Sequence, residues 1–145
     1  MKKLALTDFA KYRYPSALEL SPDGRYLTFA LKEVDREGDG YRWNLWLYDL
    51  ESRESRQITR GDDQRQAVWE DNTHILYKTT ELDEAMRARG FEEEWTVYHR
   101  LNVCTGEECE AFRLPMSVSG LWKMDEGRYV FTGETHLDRP NLLEL

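Results

Sequence analysis

The chain has 145 residues and a formal net charge of −8, from 28 acidic residues against 20 lysines and arginines. This balance argues against nucleic acid or an anionic membrane as a partner, because both select for clustered positive charge. A hydrophobic content of 40% with 12% aromatic residues excludes a disordered chain. The length is that of one domain with its own core.

The first 16 residues are predicted to be a leader with a short helix within residues 6–13. Leu6 and Phe9 have helical spacing, and Pro15 ends the pattern. Lys2 is followed by too few apolar residues for a secretory signal, and no apolar run reaches transmembrane length. We therefore expect a cytoplasmic protein.

A pattern of strand, turn and strand occupies residues 17–66. Its centre is Ser21-Pro22-Asp23-Gly24, in which proline presets φ, aspartate bonds its own backbone and glycine accepts positive φ. Short apolar or alternating runs flank this turn, which indicates a hairpin. Two further strands are predicted at residues 44–50 and 56–59, and a polar loop at residues 34–42.

The same pattern returns in residues 67–115 and again in residues 116–145, with a period of about 51 residues. A repeat of this length made of short strands is typical of a β-propeller. We therefore predict an all-β fold: a partial β-propeller of about two and a half four-stranded antiparallel blades. Good helix formers and a final Gly90 predict a short helix inserted in the second blade, within residues 81–90.

A propeller that does not close its ring leaves strand edges and apolar blade faces uncovered. On the expectation that the chain is a fragment of a longer propeller, ending at Leu145 within its third blade, we predict a homo-oligomer.

Two cysteines, Cys104 and Cys109, bracket a predicted turn. A disulfide across the hairpin and two reduced thiols both fit this spacing, and the cytoplasmic location favours the thiols. The sequence predicts no metal site and no cofactor, since the histidines lack ligand spacing and no glycine-rich phosphate loop is present. No Gly-x-Ser-x-Gly motif occurs, so we predict no catalytic residue in this chain.

One acidic cluster is a candidate binding site. Glu92, Glu93 and Glu94 follow one another between the predicted helix and a strand. Carboxylates at this density can bind a cationic group, such as the free α-amine of a peptide, through charge-assisted hydrogen bonds. The alternative is a solvated acidic loop, as most runs of charge are.

Residues 6–59 resemble the N-terminal propeller of the prolyl oligopeptidase family of serine peptidases, especially its acylaminoacyl-peptidase and dipeptidyl-peptidase branches. The matching segments are Leu6-Thr7-Asp8-Phe9, residues 20–29, residues 44–50 and Arg56-Gln57-Ile58-Thr59.

In that family the propeller caps an α/β-hydrolase domain that carries the Ser-Asp-His triad, and the cap admits short or unfolded peptides. The resemblance implies a non-catalytic propeller that gates and selects peptide substrates for a hydrolase domain of the same parent chain. It also implies that Glu92, Glu93 and Glu94 hold the substrate's amino terminus, as a Glu-Glu pair does in dipeptidyl peptidases. The alternative function is a TolB-like propeller that serves as a scaffold for protein interactions, with no enzyme attached.

Overall fold

The computed structural model describes residues 5–90 and 94–134, and for Leu6, Met86 and Glu126 it describes the backbone alone. This part of the chain contains ten strands arranged in three antiparallel sheets. The predicted all-β fold is confirmed: within the described residues, two four-stranded sheets and a two-stranded third sheet agree with the prediction of about two and a half blades. Whether residues 17–66, 67–115 and 116–145 are separate blade units stays a prediction.

The first sheet has the order β1-β2-β3-β4. Its strands are β1 (Tyr14–Leu20), β2 (Tyr26–Asp35), β3 (Gly40–Asp49) and β4 (Glu54–Gln57). A 3-10 helix at Leu6–Lys11 precedes β1, which agrees with the helical spacing of the predicted leader.

The second sheet has the order β5-β6-β7-β8, and the third sheet pairs β9 with β10. Their strands are β5 (Val68–Trp69), β6 (His74–Leu82), β7 (Glu94–Asn102), β8 (Glu108–Leu114), β9 (Ser117–Lys123) and β10 (Tyr129–Glu134). The helix α1 (Glu84–Arg87) follows β6, so the predicted short helix is confirmed. A second 3-10 helix, Asp125–Gly127, joins β9 to β10.

The Ser-Pro-Asp-Gly segment forms the predicted turn between β1 and β2. The amide of Gly24 donates to the carbonyl of Ser21 at 2.9 Å, and Gly24 has a φ of +74°. The Asp23 carboxylate accepts from the Ser21 hydroxyl at 2.6 Å and from the Arg25 amide at 3.1 Å. These two donors lower the pKa of Asp23. Asp23 and Gly24 therefore have the roles that their chemistry predicts.

The polar loop predicted at residues 34–42 is wrong for most of its length. The strands β2 and β3 pair through Asp35 and Gly40, and only residues 36–39 form the turn. Val34 pairs with Tyr41, and Lys32 lies over the Tyr41 ring, 3.8 Å from its centroid. Pairing between apolar and aromatic residues on one face extends the hairpin, although the intervening residues are polar.

Two apolar clusters hold the three sheets side by side. The first lies between the first and second sheets and consists of Ala30, Leu45, Leu47, Ala67, Trp69, Ile75, Tyr77, Leu101 and Val103. The second lies between the second and third sheets and consists of Leu76, Tyr98, Met116, Val118 and Leu121. Because successive side chains of a strand alternate between faces, the second sheet supplies Ile75 to one cluster and Leu76 to the other.

Candidate functional site

In chain order, the acidic cluster predicted from the sequence comes at the end of the connection between β6 and β7, which we name the acidic tip. Glu94 is the first residue of β7, pairs with Leu82 of β6 and is exposed. Glu92 and Glu93 lie outside the described residues, so their role in a binding site stays a prediction.

The base of this tip is held by a short polar network. The Asp83 carboxylate accepts a hydrogen bond from the Trp95 indole at 2.9 Å and one from the Ala85 amide at 3.1 Å. Gly90, with a φ of +84°, follows α1 in the left-handed region that glycine adopts freely. The network therefore joins the start of α1 to the second residue of β7.

Charge at the tip is only partly neutralised within the described residues. Glu81 lies 3.4 Å from Arg113, which also binds Glu110 at 2.7 Å. Glu84 lies 3.9 Å from Arg87 with a side chain that is 82% exposed. Such exposed pairs are screened by water and salt, so they neutralise these carboxylates only weakly.

A cleft lies at the opposite end of the strands, between the first and second sheets. Its volume is about 240 Å³. The lining residues are Tyr26, Leu47, Asp49, Ser52, Glu54, Ser55, Arg56 and Cys104. The Tyr26 hydroxyl lies 3.7 Å from the Cys104 sulfur, an interaction that raises the pKa of Tyr26. Acidic, basic and hydroxyl groups meet here without a dominant charge.

Both cysteines are exposed free thiols. Cys109 lies in β8 opposite Arg100, whereas Cys104 follows the end of β7. The two residues therefore do not face each other across the ladder, and of the two alternatives left by the sequence the structure has the thiols.

A polar chain on the second sheet was not identified from the sequence. The Thr79 hydroxyl lies 2.8 Å from Nε2 of His99, and the imidazole stacks on Tyr77 with ring centroids 5.2 Å apart. Nδ1 of His99 lies 3.8 Å from Glu108, which is beyond hydrogen-bond distance. The carboxylate therefore does not orient this imidazole as it would in a hydrolytic triad. Only the strand register brings these residues together, so spacing in the sequence gives no signal for them.

Within residues 5–90 and 94–134, no group of three or more histidine, cysteine, aspartate or glutamate side chains is arranged to hold a metal ion. In the same residues, no helix is both long and apolar enough to cross a membrane.

Solved protein structures share this arrangement of sheets. The β-propeller domain of the trilobed protease from Pyrococcus furiosus, described as having an open velcro topology, matches with a TM-score of 0.59 and 14% identity. An acylaminoacyl peptidase from Pyrococcus horikoshii matches with a TM-score of 0.62 and 15% identity. At such identities the likeness shows the fold, and the predicted resemblance to the propellers of peptidases is confirmed at that level.

The matched region is most of this chain but a minor part of each solved chain. It covers 85% of this chain and 34% of the chain of the trilobed protease's propeller domain, and 86% of this chain and 18% of the acylaminoacyl peptidase chain. Neither a family model nor a curated protein sequence matches the chain.

Proposed function

We propose that this chain is the peptide-selecting propeller module of a serine peptidase, with hydrolysis performed by an α/β-hydrolase domain elsewhere in the same polypeptide. The observation that carries the proposal is the likeness of its three sheets to the propellers of two proteases, at TM-scores of 0.59 and 0.62. The module gates access and selects short or unfolded peptides, while the catalytic groups belong to the partner domain.

An open strand edge supports a role in handling extended peptides. The strand β1 is the first in its sheet, so one of its edges has no neighbour in that sheet. Leu18 and Leu20 on this strand are 59% and 53% exposed. An extended peptide can add to such an edge through main-chain hydrogen bonds and contact the neighbouring apolar side chains.

The acidic tip is the proposed contact for the amino terminus of the substrate. Glu92, Glu93 and Glu94 would supply carboxylates to a free α-ammonium group, and the exposed position of Glu94 at the start of β7 supports this role. A charge-assisted hydrogen bond of this kind distinguishes a free amino terminus from a blocked one.

Sequencing the gene beyond the codon for Leu145 tests the parent architecture. We expect a Gly-x-Ser-x-Gly segment in a strand–turn–helix context near the end of a longer reading frame. Further propeller repeats followed by a stop codon would contradict the peptidase proposal and favour the scaffold.

Calorimetry with matched peptides tests the acidic tip. Replacing Glu92 and Glu93 by glutamine should weaken binding of a peptide with a free amino terminus about tenfold and leave its acetylated form unaffected. The control is Glu107→Gln, an exposed glutamate in the β7–β8 turn. Equal losses for both peptides, or no loss, would remove the tip from the proposed function.

We also propose that the chain self-associates through the third sheet and that it is cytoplasmic. Trp122 and Val130 face each other across the β9–β10 pair and are 49% and 50% exposed. The two free thiols suit a reducing compartment. Light scattering should give a mass above 17.3 kDa that rises with concentration, and a constant 17.3 kDa would contradict self-association.

A further inference from the structure

The hairpin between β2 and β3 extends past the core and carries Lys32 beside two aromatic rings on one face, with Arg65 added from the segment that follows β4. Lys32 pairs with Trp43 across the hairpin, and Val34 pairs with Tyr41. Ala30 and Leu45, one pair further along the same face, are buried between the first two sheets. Because residues two apart share a face, the hairpin turns this surface to the side on which the second sheet lies.

The cations are stacked on the rings at short range. Lys32 Nζ lies 3.8 Å from the ring centroid of Tyr41 and 5.4 Å from that of Trp43. The guanidinium carbon of Arg65 lies 4.0 Å from the Trp43 ring centroid. We name Lys32, Tyr41, Trp43 and Arg65 the cation–aromatic surface.

Backbone hydrogen bonds hold the segment that carries Arg65 against β3. The Trp43 amide donates to the Asp62 carbonyl at 3.0 Å, and the Gln64 amide donates to the Trp43 carbonyl at 2.9 Å. The Asn44 side chain adds two hydrogen bonds to Asp62, of 2.9 and 3.1 Å. Gln64 itself is buried. The surface is therefore fixed before any ligand arrives, which reduces the entropy lost on binding.

Within the described part of the chain, the lysine on this surface has no anionic partner. Among the ion pairs of residues 5–90 and 94–134 none involves Lys32, whereas Arg65 Nε binds Asp63 at 2.7 Å. An ammonium group over a ring still has N–H donors that point away from the ring and can bind a carboxylate. Tyr41 is 53% exposed and offers apolar area beside that charge.

We propose that the cation–aromatic surface binds an acidic, extended segment of polypeptide, with a carboxylate on Lys32 and the neighbouring part of the segment against Tyr41. The charge of the ligand follows from the uncompensated lysine. A polypeptide fits better than a nucleic acid because a phosphate backbone selects for many clustered cations, and this chain has two here and a net charge of −8. The site is separate from the acidic tip and does not depend on the proposed peptidase role.

A nuclear magnetic resonance titration tests this site. The probe is a peptide of alternating alanine and glutamate, acetylated and amidated so that it presents no free amino terminus to the acidic tip. The signal followed is the indole N–H resonance of Trp43, which is assigned as the resonance that disappears in the variant Trp43→Phe. We expect the glutamate peptide to shift this resonance and the matched glutamine peptide to leave it in place.

Charge removal should weaken binding without disturbing the fold. Lys32→Met should raise the dissociation constant about tenfold, and Tyr41→Leu, at an exposed position, should also weaken binding. The control Lys11→Met removes a lysine that pairs with Asp8 outside this surface and should bind as the wild type does. Equal binding of both peptides, unchanged binding by Lys32→Met, or tighter binding of a single-stranded oligothymidylate would overturn the proposal.

Discussion

Glu70 links the second and third sheets through a polar network, and replacing it tests how these two sheets pack. Its carboxylate binds Nε of Arg100, accepts from Nη2 of Arg100 at 2.9 Å and accepts from the Tyr129 hydroxyl at 2.6 Å. Lys123 of the third sheet donates to the Glu70 carbonyl. The Glu70 side chain is 11% exposed, so water replaces these contacts poorly.

The expected loss follows from the hydrogen bonds that Glu70→Gln weakens. Hydrogen bonds to a charged group contribute about 1.5–3 kcal/mol each, against about 1 kcal/mol for neutral ones. The Arg100 side chain is 43% exposed and regains water, which reduces its share. We expect the free energy of unfolding to fall by about 1–2 kcal/mol, and the melting temperature to fall by about 3–8 °C.

The pH dependence of this loss has a definite sign. The bonds to Arg100 and Tyr129 lower the pKa of Glu70 below its ordinary value. A carboxylate with a lowered folded-state pKa contributes stability above its unfolded-state pKa, and loses it as the pH falls through the folded-state value. The difference between wild type and Glu70→Gln should therefore be complete at pH 7 and shrink below about pH 4.

Chemical denaturation at pH 7 and at low pH, with hydrogen exchange, measures both effects. Exchange should accelerate in β9 and β10 more than in the first sheet. The matched control is Glu110→Gln, an exposed carboxylate that pairs with Arg113 and should cause no measurable loss. If Glu70→Gln behaves as this control does, or if its effect grows as the pH falls, the reasoning is refuted.

Three further predictions concern turns and activity. Gly24→Ala places a Cβ at a φ of +74° and should destabilise the fold by about 1–2 kcal/mol, whereas Gly40→Ala should not; equal denaturation midpoints would contradict this. Partial burial opposes ionisation of Asp71, but the Thr73 amide and the His74 side chain and amide lower its pKa to about 2. The wild type should therefore be more stable than Asp71→Asn above about pH 4, and this difference should disappear as the pH falls through about 2. A difference between their denaturation midpoints that persists at lower pH would argue against this. The isolated chain should not hydrolyse chromogenic peptides, and hydrolysis abolished by a serine-directed inhibitor would disprove that.

Individual strands and the Ser21–Gly24 turn could be predicted because they depend on local chemistry. The Ser21–Gly24 turn and the alternating residues of β3 each specify their own geometry. The extended hairpin at residues 34–42 could not be predicted. Its two strands continue because residues on one strand pair with residues on the other, as Lys32 does with Trp43. Pairing of that kind depends on the register and not on the composition of the segment.

The candidate sites also differ in whether the sequence reveals them. The acidic cluster is contiguous in sequence, so its composition alone identified it. The network of Glu70 with Arg100 and Tyr129, and the stack of Arg65 on Trp43, join residues from different strands and loops. Each member is an ordinary surface residue in the sequence, and only the packing of the sheets brings the partners together.

Side-by-side packing of the three sheets underlies the proposed propeller function, and nuclear Overhauser contacts between aromatic rings test it directly. Tyr26 of the first sheet stacks on Trp69 of the second with centroids 6.4 Å apart, and Phe112 of the second lies 5.9 Å from Tyr129 of the third. We predict cross-peaks between both pairs of rings. Intact strands without either cross-peak would contradict the propeller arrangement.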